Sequence, residues 1–174
     1  TLSFERAYEK IRRQMVQGEK SGADIIVIET MMALYEIKAA LLAAKENTNL
    51  PVFCTMTFDE NGRSFTGCLP ESMVVTLQGL GADAIGVNCS LGPDLLVPIV
   101  EKIIKRATIP VMVQANAGLP CIKCGETVYE MTAEQFLEGA YKFAKMGAKI
   151  ISGYCGTNPE FIKALAEKIK DVEV

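Results

Sequence analysis

Histidine is absent from all 174 residues. Its absence excludes an imidazole general base, a Ser-His-Asp type triad and every imidazole metal site within the chain. A metal ion held here would have to use thiolates, carboxylates or tyrosine. No apolar run approaches the length of a bilayer span, and the first ten residues, TLSFERAYEK, lack a signal-peptide pattern. The sequence also has no Lys/Arg block, and its formal net charge is only −3. Nothing in it calls for nucleic acid or a membrane surface as partner. The expectation is a cytoplasmic protein.

What is present suits one domain with ample core, since 49% of the residues are apolar. Five short, β-branched, nearly all-apolar runs stand out: ADIIVIE (23–29), PVFCTMTF (51–58), DAIGVNC (83–89), PVMVQANA (110–117) and AKIISGYC (148–155). Strands buried on both faces read this way, and such strands are mostly parallel. Between them lie segments with helical spacing, including MMALYEIKAALLAAKE, PDLLVPIVEKIIKRA and AEQFLEGAYKFAKM. Pro93 after Gly92, Thr132 with Gln135, and Asn158 with Pro159 mark helix starts chemically. The pattern predicts an α/β fold of about five βα units, preceded by a helix over FERAYEKIRRQMVQG.

Three units align internally as SGADIIVIET, LGADAIGVNC and MGAKIISGYC. The alignment puts Glu29 and Thr30, Asn88 and Cys89, and Tyr154 and Cys155 at strand carboxyl ends, the face where α/β folds bind ligands. The six cysteines (54, 68, 89, 121, 124, 155) are scattered rather than arranged as a dense disulfide framework, and are expected to be reduced. Cys54 and Cys68 are expected to pack, as are Met31, Met32 and Met56. FDENGRSFTG is expected to form a mobile loop that turns at Asn61 and Gly62.

GADAIGVNCSLGP, VQANAGLP and GYCGTNPEFI, with GADIIVIET and PVFCTMTFDENGRSFTG ahead of them in order, together resemble the homocysteine S-methyltransferase family. The resemblance covers nearly the whole chain. It implies a parallel (β/α)8 TIM barrel in which one cysteine of a GVNC motif and two of a GGCCGT motif hold zinc, which binds the homocysteine thiol. The first-strand motif of that barrel and two further units have no counterpart here. The resemblance therefore implies that residues 1–174 are the C-terminal portion of a homocysteine-binding barrel, a partial barrel within a longer methyltransferase. Implied partners are homocysteine or a similar small thiol, corrinoid- or folate-binding domains, and the missing barrel half. A methyl-corrinoid such as methylcobalamin, or another activated methyl donor, is implied, and no residue of this chain specifies which.

Residue by residue, Cys89 and Cys155 match two of the three zinc ligands, while Tyr154 stands where the third belongs. A phenol can ligate as phenolate, but its pKa near 10 makes that costlier than for a thiol. With two thiolates and a neutral phenol the formal charge at zinc is zero, against −1 for three thiolates. Cys121 or Cys124, in the expected loop LPCIKCGE after the VQANAG strand, is the alternative source of a third sulfur. Two sulfurs on one tetrahedral zinc, each about 2.3 Å from it, must lie roughly 3.8 Å apart. Glu29 matches the family glutamate that contacts the amino acid part of the substrate, and Asn88 and Asn116 are candidates to hydrogen-bond it. The tyrosine leaves two other outcomes open: a different methyl acceptor, or a non-catalytic binding module with a degraded metal site.

Overall fold

The computed structural model describes residues 2–170 and 172. Helix α1 (Phe4–Lys20) starts at the Ser3 cap. Five βα units follow in chain order: β1 (Ile26–Met31) and α2 (Leu34–Asn47), β2 (Val52–Met56) and α3 (Pro70–Gly79), β3 (Ala84–Asn88) and α4 (Pro93–Ile104). The strand β4 (Val111–Ala115), a small hairpin of β5 (Cys121–Lys123) and β6 (Glu126–Val128), and α5 (Ala133–Met146) come next. Last come β7 (Ile150–Gly153) and α6 (Pro159–Ile169). The large sheet has the order β1-β2-β3-β4-β7, with every pairing parallel. It is an α/β partial barrel of five units, as the sequence predicts.

The two faces of this sheet are built from alternate residues of each strand. Ile28, Cys54, Met56, Val87 and Val113 turn toward the helices and join Ile37, Leu41, Met73, Leu77, Leu96, Phe136 and Phe143 in one buried cluster. Each large side chain buried there stabilises the fold by about 1.5–3 kcal/mol. The other face carries the registered rows Thr55, Gly86 and Met112, and Asn88, Gln114 and Ser152. This inner face is more polar and less covered: Val27, at the β1 edge, is 41% exposed. Gly86 and Met112 are direct partners on β3 and β4, and a Cβ on Gly86 would overlap the Met112 carbonyl. Only glycine allows that approach.

The expected helix starts are all present. Thr132 and Gln135 exchange both bonds of a capping box, Gly92 precedes Pro93 at the head of α4, and the Asn158 side chain accepts the Glu160 N–H at 2.9 Å. Two expectations need correction, at the hairpin cysteines and at Met32. The segment at Cys121 and Cys124 is not an open loop but an antiparallel hairpin, because Cys124 and Gly125 both take positive φ (51° and 84°), the conformation of a two-residue hairpin turn. Residues 59–68 form a loop that turns at Asn61 and Gly62 as expected, with Asp59 Oδ1 accepting the Asn61 and Arg63 N–H groups and the Cys68 N–H reaching Ser64 Oγ at 3.1 Å. Met32 is 52% exposed rather than core, because it follows β1 onto the rim; Met56 is buried as expected.

Candidate functional site

The parallel sheet brings every strand's carboxyl end to one rim. There β1 breaks register between Ile28 and Met31, a bulge that turns Glu29 and Thr30 out of the ladder. Thr30, Cys89 and Ser90 all adopt left-handed backbone conformations, with φ of 60°, 61° and 63°. Such a conformation is uncommon outside glycine and an outlier for a β-branched residue, so three together mark strain concentrated at this rim.

Asn88 holds that geometry. It is fully buried, and its Oδ1 accepts the Thr30 N–H at 2.8 Å and the Thr55 hydroxyl at 2.7 Å. Its Nδ2 donates to Thr30 Oγ1 at 2.8 Å. A relay continues across the rim, because the Tyr154 hydroxyl lies 2.8 Å from Thr30 Oγ1 and donates to Glu29 Oε1 at 3.0 Å. Tyr154 has one proton and gives it to the carboxylate, so Thr30 is the donor to Tyr154. The Thr30 hydrogen bond favours ionisation of the Tyr154 phenol, but burial and the bond to and charge of Glu29 outweigh it, and the pKa is raised.

The Sγ atoms of Cys89 and Cys155 lie 3.8 Å apart. Their convergence follows from β4, which lies between the strands that carry them. The Cys89 N–H bonds the Gln114 carbonyl at 3.0 Å, and the Cys155 carbonyl accepts the Ala117 N–H at 2.9 Å. Both loops are thus tied to one strand end, and both sulfurs meet above it. Asn116 lies beside them, 3% exposed, and its Oδ1 is buried with no partner. Burial, with the neighbouring Cys155, pushes the Cys89 thiol pKa up.

Of the residues singled out in the sequence, Glu29, Asn88, Cys89, Asn116, Tyr154 and Cys155 are therefore brought to one rim. Asn88 lies beneath the surface as a brace, not in open space. The hydroxyl of Tyr154 is directed to Glu29 and Thr30. Cys121 sits on the hairpin beside Glu130, which also pairs with Lys123, and Cys124 is exposed at the hairpin turn. Among the described residues, no group of three Cys, Asp or Glu side chains is placed to share a metal ion.

Two further residues belong to this rim. Thr30 carries the relay, and its only sequence signal is its place after Glu29 in the aligned unit. Tyr129 follows β6 with its ring against Gly156, and burial together with the neighbouring Cys155 pushes its phenol pKa up. Beside Ser90 opens a cavity of about 590 Å³, walled by Thr57, Asp59, Arg63, Phe65 and Leu119. It is spacious enough for a small-molecule ligand. Among the described residues no helix is long and apolar enough to cross a membrane.

The fold is that of two solved forms of the homocysteine methyltransferase MmuM from Escherichia coli. The apo form superposes with a TM-score of 0.79 at 21% identity, over 97% of this chain and 58% of that one. The metallated form gives 0.75 at 20% identity, over 92% and 52%. At such identities the likeness establishes the fold alone. Closer in sequence are methionine synthase of Mycobacterium tuberculosis, 30% identical over 173 residues, and that of Mycobacterium leprae, 31% identical over 169. The match takes in 96% and 94% of this chain but spans only 14% of each relative's length. The model of the family described as homocysteine S-methyltransferase matches residues 1–169, so the chain belongs to the homocysteine S-methyltransferase family.

Proposed function

We propose that this chain is the C-terminal portion of a homocysteine-binding barrel, and that it serves zinc-dependent methyl transfer to the homocysteine thiol, forming methionine, within a longer cytoplasmic methyltransferase. The observation that carries this reading is the 3.8 Å between Cys89 Sγ and Cys155 Sγ, the separation required of two thiolates on one tetrahedral zinc. The unpartnered buried Oδ1 of Asn116 beside them is a ready oxygen donor, since a buried carbonyl oxygen without a partner is costly until something fills it. These residues fit a zinc ion with two sulfurs and oxygen, rather than three sulfurs.

Zinc, when bound, supplies the chemistry that a free thiol with pKa near 8.5 lacks at neutral pH, by holding the acceptor sulfur as a thiolate. The chain's own residues do the rest. Cys89 and Cys155 would hold the ion, and the backbone bonds to β4 keep their sulfurs convergent. Glu29 offers a carboxylate at the rim for the ammonium of an amino acid substrate. One of its oxygens is fixed by the Tyr154 hydroxyl, which sets the direction of the other. Asn88 and Thr55 hold Thr30, and through it Tyr154, in place. The cavity beside Ser90 lies on the same face and is open to a methyl donor, for which we favour methylcobalamin on a neighbouring corrinoid domain.

The test is methionine formation from homocysteine by the intact methyltransferase, with zinc removed and restored. We expect activity to be lost with the metal, to return with it, and to be absent in Cys89→Ser. Activity indifferent to zinc, or retained by Cys89→Ser, would sink the reading. A second reading keeps methyl transfer but changes the acceptor thiol. It is favoured by Tyr154, whose phenol stands in place of the expected sulfur and already engages Glu29. Competition between homocysteine and a small thiol lacking the amino group decides between them. Preference for the simpler thiol, shifted toward homocysteine by Tyr154→Cys, would establish the second. Absence of both zinc and transfer would leave a non-catalytic binding module.

A further inference from the structure

Among the described residues, three side-chain oxygens are buried with no partner: Oε2 of Glu71, Oε1 of Gln114 and Oδ1 of Asn116. Two of the three belong to one strand end. Gln114 lies on β4 and Asn116 just past it, two positions on, so both face the side of the sheet that a barrel encloses. Asn116 is beside the sulfur pair, and Gln114 stands one level below it.

The place of Gln114 is fixed from both sides. It pairs with Asn88 on β3 and with Ser152 on β7, and its own carbonyl accepts the Cys89 N–H at 3.0 Å. The next carbonyl, that of Ala115, accepts the Tyr154 N–H at 2.7 Å. Gln114 is thus set between the two loops that bring the sulfurs together. Its neighbour in the row, Asn88, uses both ends of its amide within the protein, on Thr30 and Thr55. Gln114 carries the same amide one strand over, and its oxygen accepts nothing. A purely structural amide would close its bonds as Asn88 does, because a buried acceptor left unpaired is costly. The Gln114 side chain is only half-buried although its oxygen is covered, so a turn about the broad terminal torsion of the amide presents that oxygen to an incoming group.

We infer that Gln114 is a specificity residue for the amino group of the acceptor, its Oε1 accepting one N–H of the substrate ammonium while Glu29 takes another. The inference rests on the homocysteine reading above. Chemistry selects the group: a carbonyl oxygen accepts and does not donate, so it suits an ammonium with its three donors and not a carboxylate. A thiol whose sulfur is held above β4 lays its next atoms over the inner face of that strand. Glu29 supplies charge, which draws any cation. Gln114 is uncharged and directional, and it adds aim. A thiol that lacks the amino group leaves both acceptors unpaired, which is how a site built for a hydrogen bond rejects an analogue without it.

The experiment uses the intact methyltransferase and compares homocysteine with its des-amino analogue, which keeps the thiol and the carboxylate. Gln114→Met preserves the length of the side chain and removes the acceptor. It should raise KM for homocysteine roughly tenfold, with kcat changed by less than about twofold, and should move neither constant for the analogue by more than about twofold. Without substrate its thermal midpoint should not fall, since a buried unpaired oxygen has been removed, and the rise in midpoint that homocysteine produces should shrink. Gln114→Glu keeps an acceptor of the same shape. It should retain the preference for homocysteine, and it keeps the test decisive if Gln114→Met folds poorly. Equal losses on the two thiols in Gln114→Met, or loss of homocysteine use in Gln114→Glu, would overturn this inference and leave the functional reading standing. A wild type that methylates neither thiol, or that prefers the analogue, would overturn both.

Discussion

Cys89 and Cys155 are separated by 66 positions, yet their sulfurs lie 3.8 Å apart. Cys121 and Cys124 are separated by three, yet the hairpin keeps them from acting together. Residues 121 to 123 form a strand, and at about 3.3 Å per residue the Cα atoms of the two cysteines are roughly 10 Å apart, beyond the span of any disulfide. The CxxC spacing is thus a coincidence of a hairpin, while the distant pair is a consequence of the sheet. Parallel strands deliver their carboxyl ends to one rim whatever the chain length between them. A strand running through a motif pulls neighbouring residues apart.

The largest expected effect follows directly. In the intact methyltransferase, Cys89→Ser and Cys155→Ser should each lower zinc affinity by on the order of a hundredfold or more, because the apparent binding energy of such sites is concentrated in thiolate ligands. Cys121→Ser and Cys124→Ser should leave it unchanged. Loss of metal in either hairpin variant, measured by chelator competition, would break the contrast.

A smaller effect tests the frame under the distant pair. Asn88→Ala would leave the buried Thr55 hydroxyl and the Thr30 N–H without their acceptor, at a cost of about 2–4 kcal/mol. The denaturant midpoint should fall accordingly, with zinc affinity weakened through the adjacent Cys89. An unchanged midpoint would show that the left-handed turn at Thr30 holds without its brace.

The effect smallest at neutral pH, and visible only in alkali, distinguishes the rim thiols from a core one. Burial, reinforced by the charge of Asp83 and opposed by Lys45, pushes the Cys54 thiol up to about 12 from an ordinary 9.0. Since the folded pKa is the higher one, the contribution is fully present below the unfolded value. It is lost as pH rises from about 9 toward about 12, where only the unfolded chain has released its proton. The stability advantage of the wild type over Cys54→Ala should therefore shrink by about 1.4 kcal/mol per pH unit across that window. A gap that stays constant in alkaline denaturant titrations would refute the assignment.

Sequence and structure part company at the same rim. The strands could be read because each is an unbroken β-branched run ending at a glycine-spaced helix, and the order β1-β2-β3-β4-β7 follows once such runs alternate with helices. Cys89, Cys155 and Glu29 could be read because three units align. The direction of Tyr154 could not, since it depends on a bulge in β1 more than 120 residues upstream. Neither could the approach of Tyr129, which depends on a hairpin whose residues look like loop until Cys124 takes a positive φ. Alignment of repeats finds what the units share. Both tyrosines are placed by what lies outside the repeat.

Gly86 sets the mechanics of this rim. With no side chain there, the backbone of β4 closes to where a methyl group would otherwise stand. Cys89 follows three residues later, about 10 Å along the strand, and Asn116 follows Met112 by four. The two strands are the arms of a pair of tweezers, with Gly86 the rivet and the sulfur at one tip. How closely the two arms approach is thus decided well below the tips, by an atom that is not there.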